Sequence, residues 1–247
     1  MLPKKRIISI DISNGTYDDF VSAIMNYARE KISSYVCVAN VHMLVEANDS
    51  VEFQKIVNDA DLVTPDGMPL AKSFSILYKQ QQDRVDGMSL LPRLLKESEK
   101  ESFSVYFYGG AQGTLDATSD FIKSNYPDLK VAGLYSPPFR PLTAEEDAEI
   151  AKKITDSGAN LVFVVLGCPK QEKWMASMRG KIPAIMLGIG GALPVLVGQQ
   201  KRAPKWMQKS SLEWLYRLAQ EPKRLFKRYF YTNSKFLYLL TLEKLGN

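Results

Sequence analysis

The residues best suited to chemistry stand where apolar runs stop. In "LVTPDGMPL" (Leu62–Leu70) such a run passes through Thr64-Pro65 and then presents Asp66-Gly67. Pro-Asp-Gly is a common turn sequence, so Asp66 could be only the polar tip of a turn. A carboxylate at the end of a strand could also take a proton from a hydroxyl nucleophile. "CVANVHM" (Cys37–Met43) ends another run with the Asn40 amide, and "DRVDGMSL" (Asp83–Leu90) sets Arg84 beside a second Asp-Gly. Arg84 suits a diphosphate, or an ion pair with Asp66 or Asp86. His42 is a weaker base candidate, because it opens a helix-like pattern with Leu44, Val45 and Asn48.

Three further stretches suit an anionic or sugar ligand. "YFYGGAQGT" (Tyr106–Thr114) puts Gly109, Gly110 and Gly113 between a strand and a helix N-terminus, where free N–H groups and the helix dipole meet phosphate. "LGIGGAL" (Leu187–Leu193) offers Gly188, Gly190 and Gly191 in a second such turn. Either turn reads equally well as a plain strand-to-helix connection. In "LGCPKQEKW" (Leu166–Trp174), Pro169 fits a helix start, with Lys170, Gln171 and Glu172 in the first turn. Lys170 could meet phosphate and Gln171 a sugar or base. The plainer alternative is a solvated turn in which Glu172 complements the dipole. Neither G-x-G-x-x-G nor a Walker A sequence occurs. Its one Asp-x-Asp, Asp59-Ala60-Asp61, stands before the Leu62–Thr64 run rather than at its C-terminal end, and so is not of the kind that holds a metal–diphosphate in many sugar-nucleotide enzymes. One histidine and two cysteines, Cys37 and Cys168, give no metal spacing, so no metal site and no cofactor are expected.

These residues need a scaffold, and the chain alternates strand and helix signals up to about residue 198. Apolar, β-branched runs occur at Ile7–Ile12, Tyr35–Ala39, Leu62–Thr64, Ser104–Tyr108, Val131–Tyr135, Leu161–Leu166 and Ala184–Leu187. Amphipathic stretches lie between them, such as Tyr17–Ala28 after Thr16, Gly113–Ser124, and Thr143–Asp156 with its Thr-x-x-Glu capping box. This rhythm predicts an α/β fold, a mostly parallel Rossmann-like sheet flanked by helices. Such folds bind ligands at the C-terminal strand ends, where Asn40, Asp66 and the glycine turns fall.

Composition divides the chain at the same place. Hydrophobic residues make up 45% and charged residues 24% of the 247, which reads as globular rather than disordered. From Gln199 onward eleven Lys/Arg face only Glu213, Glu221 and Glu243, a balance of +8 that leaves −3 for residues 1–198. The expected organisation is therefore a catalytic core over 1–198 and a basic, aromatic-rich helical appendage over 199–247, with a helix from about Pro222 to Leu245. Arg217, Arg224 and Arg228 form a basic stripe beside aromatic side chains. That stripe suits anionic lipid, nucleic acid, or a solvated face on a packed appendage. No apolar run reaches the roughly 20 residues of a membrane span. The opening "MLPKKRIISIDI" does not read as a secretory signal, and buried reduced thiols favour the cytoplasm.

Taken in order, "ANVHMLVEA", "ADLVTPDGMPL", "RVDGMSL", "YGGAQGT", "LGCPKQEKW", "GIGGAL" and "KRAPKWMQKSSLEWLYRLAQEPKR" make nearly the whole chain resemble the WecG/TagA/CpsF glycosyltransferase family. The resemblance implies transfer of a sugar from a UDP-sugar donor to a polyprenyl-diphosphate-linked saccharide acceptor, inverting and metal-independent, in bacterial cell-surface polysaccharide synthesis. It implies that Asp66 is the base, that Arg84 and Gln171 match the family's arginine and glutamine, and that the basic segment contacts an anionic membrane at the inner, cytoplasmic face and helps close the site. Arg217, Arg224 and Arg228 are then membrane or acceptor contacts, and nucleic acid is not an expected partner. Many members carry threonine where this chain has Val38, which removes a hydroxyl from the strand ending at Asn40. That departure keeps open a catalytically altered or inactive binding protein of the same fold. A different nucleotide-dependent α/β enzyme is the other alternative, and donor sugar, pathway and homo-oligomerisation stay open.

Overall fold

The computed structural model describes residues 2–246. In chain order its elements are β1 (Lys4–Ile7), β2 (Ile10–Ser13), α1 (Tyr17–Arg29), β3 (Ser34–Ala39), α2 (Val41–Asp49), α3 (Val51–Asn58), β4 (Leu62–Pro65), α4 (Met68–Tyr78), α5 (Gly87–Lys100) and β5 (Ser104–Gly109). There follow α6 (Gln112–Asn125), β6 (Lys130–Tyr135), α7 (Ala144–Asp156), β7 (Leu161–Val165), α8 (Lys170–Met178), β8 (Ile185–Gly188), α9 (Ala192–Leu196), α10 (Lys205–Lys209), α11 (Glu213–Gln220) and α12 (Pro222–Gly246). Helix starts follow local chemistry. Thr16 with Asp19 and Thr143 with Glu146 form capping boxes ahead of α1 and α7, and Asp86 caps α5 by accepting from the Ser89 amide.

Six strands form one parallel sheet in the order β4-β3-β8-β7-β5-β6, as the strand–helix alternation predicts. Alternate residues of each strand enter two apolar layers. Tyr35, Cys37 and Ala39 of β3 meet α2, α3, α4, α7, α8 and α12 on one face. Val36 on the other face joins the layer formed with α1, α5, α6 and α9. The helices following the adjacent strands β3 and β8 therefore leave on opposite faces. A parallel sheet opens a crevice at such a switch point.

The run Ile7–Ile12 departs from expectation. It is not one strand but the antiparallel hairpin β1–β2, separate from the main sheet, turning at Ile8 with φ +57°. Side chains alternate along a strand, so an unbroken run would send Ile7 and Ile10 to opposite faces. The turn pairs Ile7 directly with Ile10, and Ile7, Ile10 and Ile12 all enter one core.

The segment after residue 198 lies on the same body. Leu225, Phe236 and Leu240 of α12 are buried, and the latter two share the apolar layer that holds Tyr35 and Cys37. Lys235 pairs with Asp49 at the end of α2, and the Tyr231 hydroxyl donates to the same carboxylate at 2.7 Å. By contrast α10 and α11 bury no residue.

Candidate active site

The C-terminal ends of β4, β3, β8 and β7 open into a cleft of about 750 Å³, roofed on one side by α11 and α12. That size lies in the range of about 300–1,000 Å³ typical of small-molecule sites. Asn40, Asp66, Arg84, Gln171, Gly188, Gly190, Gly191, Arg217, Arg224 and Arg228 all line it. The fold thus gathers ten predicted positions that are spread over most of the chain.

Asp66 follows β4 directly, and its amide still donates to the Ala39 carbonyl at 2.8 Å, as though the strand continued. The carboxylate is held from two sides. Oδ1 accepts from the amide of Gly87, the first residue of α5, at 3.2 Å, and the Asn40 side chain donates toward Oδ2 at 3.5 Å. Asn40 does two jobs, because its Oδ1 also caps α2 by accepting from the Met43 amide at 3.2 Å. Burial, and secondarily the nearby Asp86 carboxylate, push the Asp66 carboxyl up to about 6 against the pull of Arg84. It therefore remains ionised at neutral pH while being a stronger base than an ordinary carboxylate.

Arg84 does not grip the Asp66 carboxylate. Its Nε donates to the Asp66 backbone carbonyl at 2.6 Å, and its Nη2 donates to Glu213 of α11 at 2.5 Å. Asp86 is 3.8 Å away and bonds Arg202 instead, at 2.9 Å. Glu213, which the sequence reading did not single out, thus ties the basic segment to the centre of the cleft. The signal was available: it is one of only three acids after residue 198. Gly87 also went unnoticed, and only the fold brings its amide to Asp66.

Val38 lies on the cleft floor, its methyl 3.6 Å from where a Cβ on Gly87 would stand. Thr64 pairs with it on β4, but that hydroxyl is fully buried and donates to the Val85 carbonyl at 2.9 Å. It cannot stand in for the hydroxyl that Val38 lacks.

The glycines at Gly188–Gly191 make room for side chains. A Cβ on Gly188 would meet Gln171 Nε2 at 2.8 Å, and one on Gly191 would meet the Arg217 guanidinium at 2.9 Å. Gly109, Gly110 and Gly113 form the predicted strand-to-helix turn, but after β5, which β7 separates from β8, and they do not line the cleft. Gly109 has φ +101°, and a Cβ there would stand 2.7 Å from the Val165 carbonyl, so its role in this structure is close backbone packing. Lys170 is exposed and outside the lining. Glu172 contradicts the solvated-turn alternative, since it is wholly buried.

On the opposite wall Arg217, Arg224 and Arg228 face the cleft, with Arg224 paired to Glu221 and Arg228 lying 5.3 Å from the Tyr229 ring centre. His42 sits beneath them, and burial together with Arg228 pulls its imidazole down to about 4. A base that weak suits hydroxyl activation less well than Asp66. On the outer surface Phe226 and Phe230 stack on one another and are exposed, as is Trp206. Among the described residues no helix is long and apolar enough to cross a membrane.

A model of the Glycosyl transferase WecG/TagA/CpsF family matches residues 5–247. Over 222 residues the chain is 31% identical to an N-acetylglucosaminyldiphosphoundecaprenol N-acetyl-beta-D-mannosaminyltransferase of Bacillus spizizenii, covering 89% of this chain and 84% of that protein. A protein of the same description from Bacillus subtilis is 29% identical over 220 residues, covering 88% and 84%.

Proposed function

The chain belongs to the WecG/TagA/CpsF family of glycosyl transferases, and from that premise we propose that it moves an N-acetylhexosaminyl group from a UDP-sugar to a lipid-diphosphate-linked N-acetylglucosamine, as a step of cell-surface polysaccharide synthesis. The observation that carries this reading is the Asp66 carboxylate, raised to about 6 and fixed in a switch-point cleft, with guanidinium groups on the facing wall.

In the proposed reaction the acceptor hydroxyl gives its proton to Asp66 as its oxygen attacks the anomeric carbon. The bond from that carbon to the diphosphate breaks, and UDP departs with the electron pair. A single displacement inverts the anomeric centre. Arg84, Arg217, Arg224 and Arg228 are positioned to take up the negative charge that develops on the leaving diphosphate, so the reaction proceeds without a metal. Asn40 and the Gly87 amide keep the carboxylate aimed, while Gln171, whose amide is set between Gly167 and Gly188, holds the donor. The exposed Phe226 and Phe230 beside Lys223 and Lys227 on α12 suit contact with an anionic membrane surface that presents the lipid acceptor.

The test is a transfer assay with a panel of UDP-N-acetylhexosamines and a short-chain lipid-diphosphate-GlcNAc, run with and without EDTA. Product from at least one donor, unaffected by EDTA and of inverted configuration by NMR, is expected. No product from any donor would defeat the enzymatic reading and leave a binding protein of the same fold.

A further inference from the structure

Glu172 takes no part in the steps above, yet it is among the most enclosed polar groups of the chain. It lies in the first turn of α8 with none of its surface exposed. Its Oε1 accepts from Gln171 Nε2 at 2.7 Å, while its Oε2 receives no N–H or O–H, with only the weakly donating Cys168 thiol beside the carboxylate. Burial pushes the carboxyl up to about 7. A buried carboxylate with an unsatisfied oxygen works against stability, so packing alone gives no reason for an acid here.

Its neighbour supplies one. The Gln171 amide is held at both ends: Nε2 donates to Glu172, and Oε1 accepts from the Gly167 amide at 3.2 Å. Above about pH 7, where Glu172 is mainly ionised, its carboxylate can only accept, and a backbone N–H can only donate. Turning the amide over would face carbonyl against carboxylate and N–H against N–H. The fit is close as well, because Cβ atoms at Gly188 and Gly190 would stand 2.8 and 3.4 Å from the same amide. One N–H of Nε2 and one lone pair of Oε1 are left, at a position lining the cleft.

We propose that Glu172 is a positioning residue that locks the polarity of the Gln171 amide, so that the donor nucleotide-sugar meets a fixed donor and acceptor rather than a group free to flip. The assignment rests on the nucleotide-sugar reading of the cleft. Glu172 itself need not touch the ligand.

Stability and binding then move in different directions on substitution. Glu172→Met removes the unsatisfied carboxyl at similar volume, so the melting temperature is expected to hold or rise. UDP binding by calorimetry is expected to weaken on the order of tenfold, because the amide loses its oriented partner. Glu172→Gln keeps an acceptor but permits both orientations and falls between. In a Gln171→Ala background, Glu172→Met should change UDP affinity by less than about twofold, the signature of action through Gln171. Wild-type UDP affinity in Glu172→Met would overturn the proposal. So would an equal loss in the Gln171→Ala background accompanied by a lower melting temperature, since that pattern marks a structural role. If the unaltered chain binds no UDP, it is the nucleotide reading that fails. The lock is then read without ligand, from the Gln171 side-chain amide in ¹⁵N NMR: slowed NH₂ rotation that Glu172→Met releases supports it, and an unchanged signal overturns it.

Discussion

On the strand side of the cleft, Asp66 and Asn40 are held by a main-chain ladder, a helix cap and the first amide of α5. On the facing side, Glu213, Arg217 and Arg224 reach in on long side chains from α11 and the start of α12, and α11 buries nothing of its own. The first wall cannot move without breaking the sheet. The second can adjust by rotamer changes alone. The contrast teaches where each kind of work belongs. In the proposed reaction, proton transfer, which tolerates little misplacement, is assigned to the rigid wall, whereas charge neutralisation of a diphosphate, which falls off slowly with distance, is left to flexible guanidinium groups.

The largest expected effect tests the rigid wall. Asp66→Asn should lower turnover by about 10²–10⁴-fold while UDP affinity stays within about twofold. Turnover within tenfold of the unaltered enzyme would move the base elsewhere. The same group sets a pH limb. With its carboxyl near 6, the rate should fall about tenfold per unit below that pH, because the base must be ionised. Stability runs the opposite way. The folded state raises this carboxyl above its ordinary 3.8, so it favours the protonated form, and its contribution is lost as pH rises from about 4 to 6. Asp66→Asn should therefore raise the melting temperature at pH 7 and leave it unchanged near pH 3.5. A lower melting temperature at pH 7 would contradict the burial cause.

Next in size, Gly188→Ala should displace the Gln171 amide and weaken UDP binding roughly tenfold, since neither β8 nor α8 can yield easily. Calorimetry checks it, and unchanged affinity would mean that Gln171 is not in contact with the nucleotide. A smaller change is expected across the cleft. Glu213→Gln removes a carboxylate that occupies Arg84 and raises the Asp66 carboxyl, so UDP should bind about threefold tighter and the acid limb of the rate should move to lower pH. Loss of activity instead would make Glu213 a fixed part of the machinery and erase the contrast between the walls.

Smallest in the catalytic readout is the outer face of α12. Phe226→Ser with Phe230→Ser should leave turnover on a soluble acceptor and the melting temperature nearly unchanged, because both rings are exposed. Sedimentation with anionic vesicles should fall severalfold. Equal sedimentation would remove these rings from any membrane contact. Point changes are preferable to deletion here, since Phe236 and Leu240 hold the same helix in the core.

Much of this site could be read along the chain. Asp66 is legible because a strand must end somewhere, and the ends of parallel strands face the ligand side of an α/β sheet. Asn40 was legible as the amide that ends its run but not as the cap of α2, and the helices over Ala144–Asp156 and Pro222–Gly246 announced themselves by a capping box and a proline. Arg84 was legible as a cation but not its partner, because Glu213 lies 129 residues away. The turn at Gly109–Gly113 looked the equal of Gly188–Gly191 because local geometry is all that glycine spacing encodes. Ile7–Ile12 looked like one strand because its positive-φ turn falls on an isoleucine, a residue type rarely found there.

The sequence by itself determined the alternation of strands and helices, the residues at the strand ends, the basic charge of the residues after 198 and the family. All of these depend on neighbours along the chain, where hydrophobic period, capping chemistry and motif order are direct consequences of residue type. Tertiary structure decided the strand order, and with it that the turn after β8 lines the cleft while the turn after β5 does not. It also decided that the Gln171 amide packs against Gly188, that the Arg217 guanidinium lies over Gly191, that Arg84 answers to Glu213, and that Glu172 is buried behind the cleft rather than solvated. Each is a contact between segments distant in sequence, set by how two packed faces meet, and no local pattern records which segment will arrive.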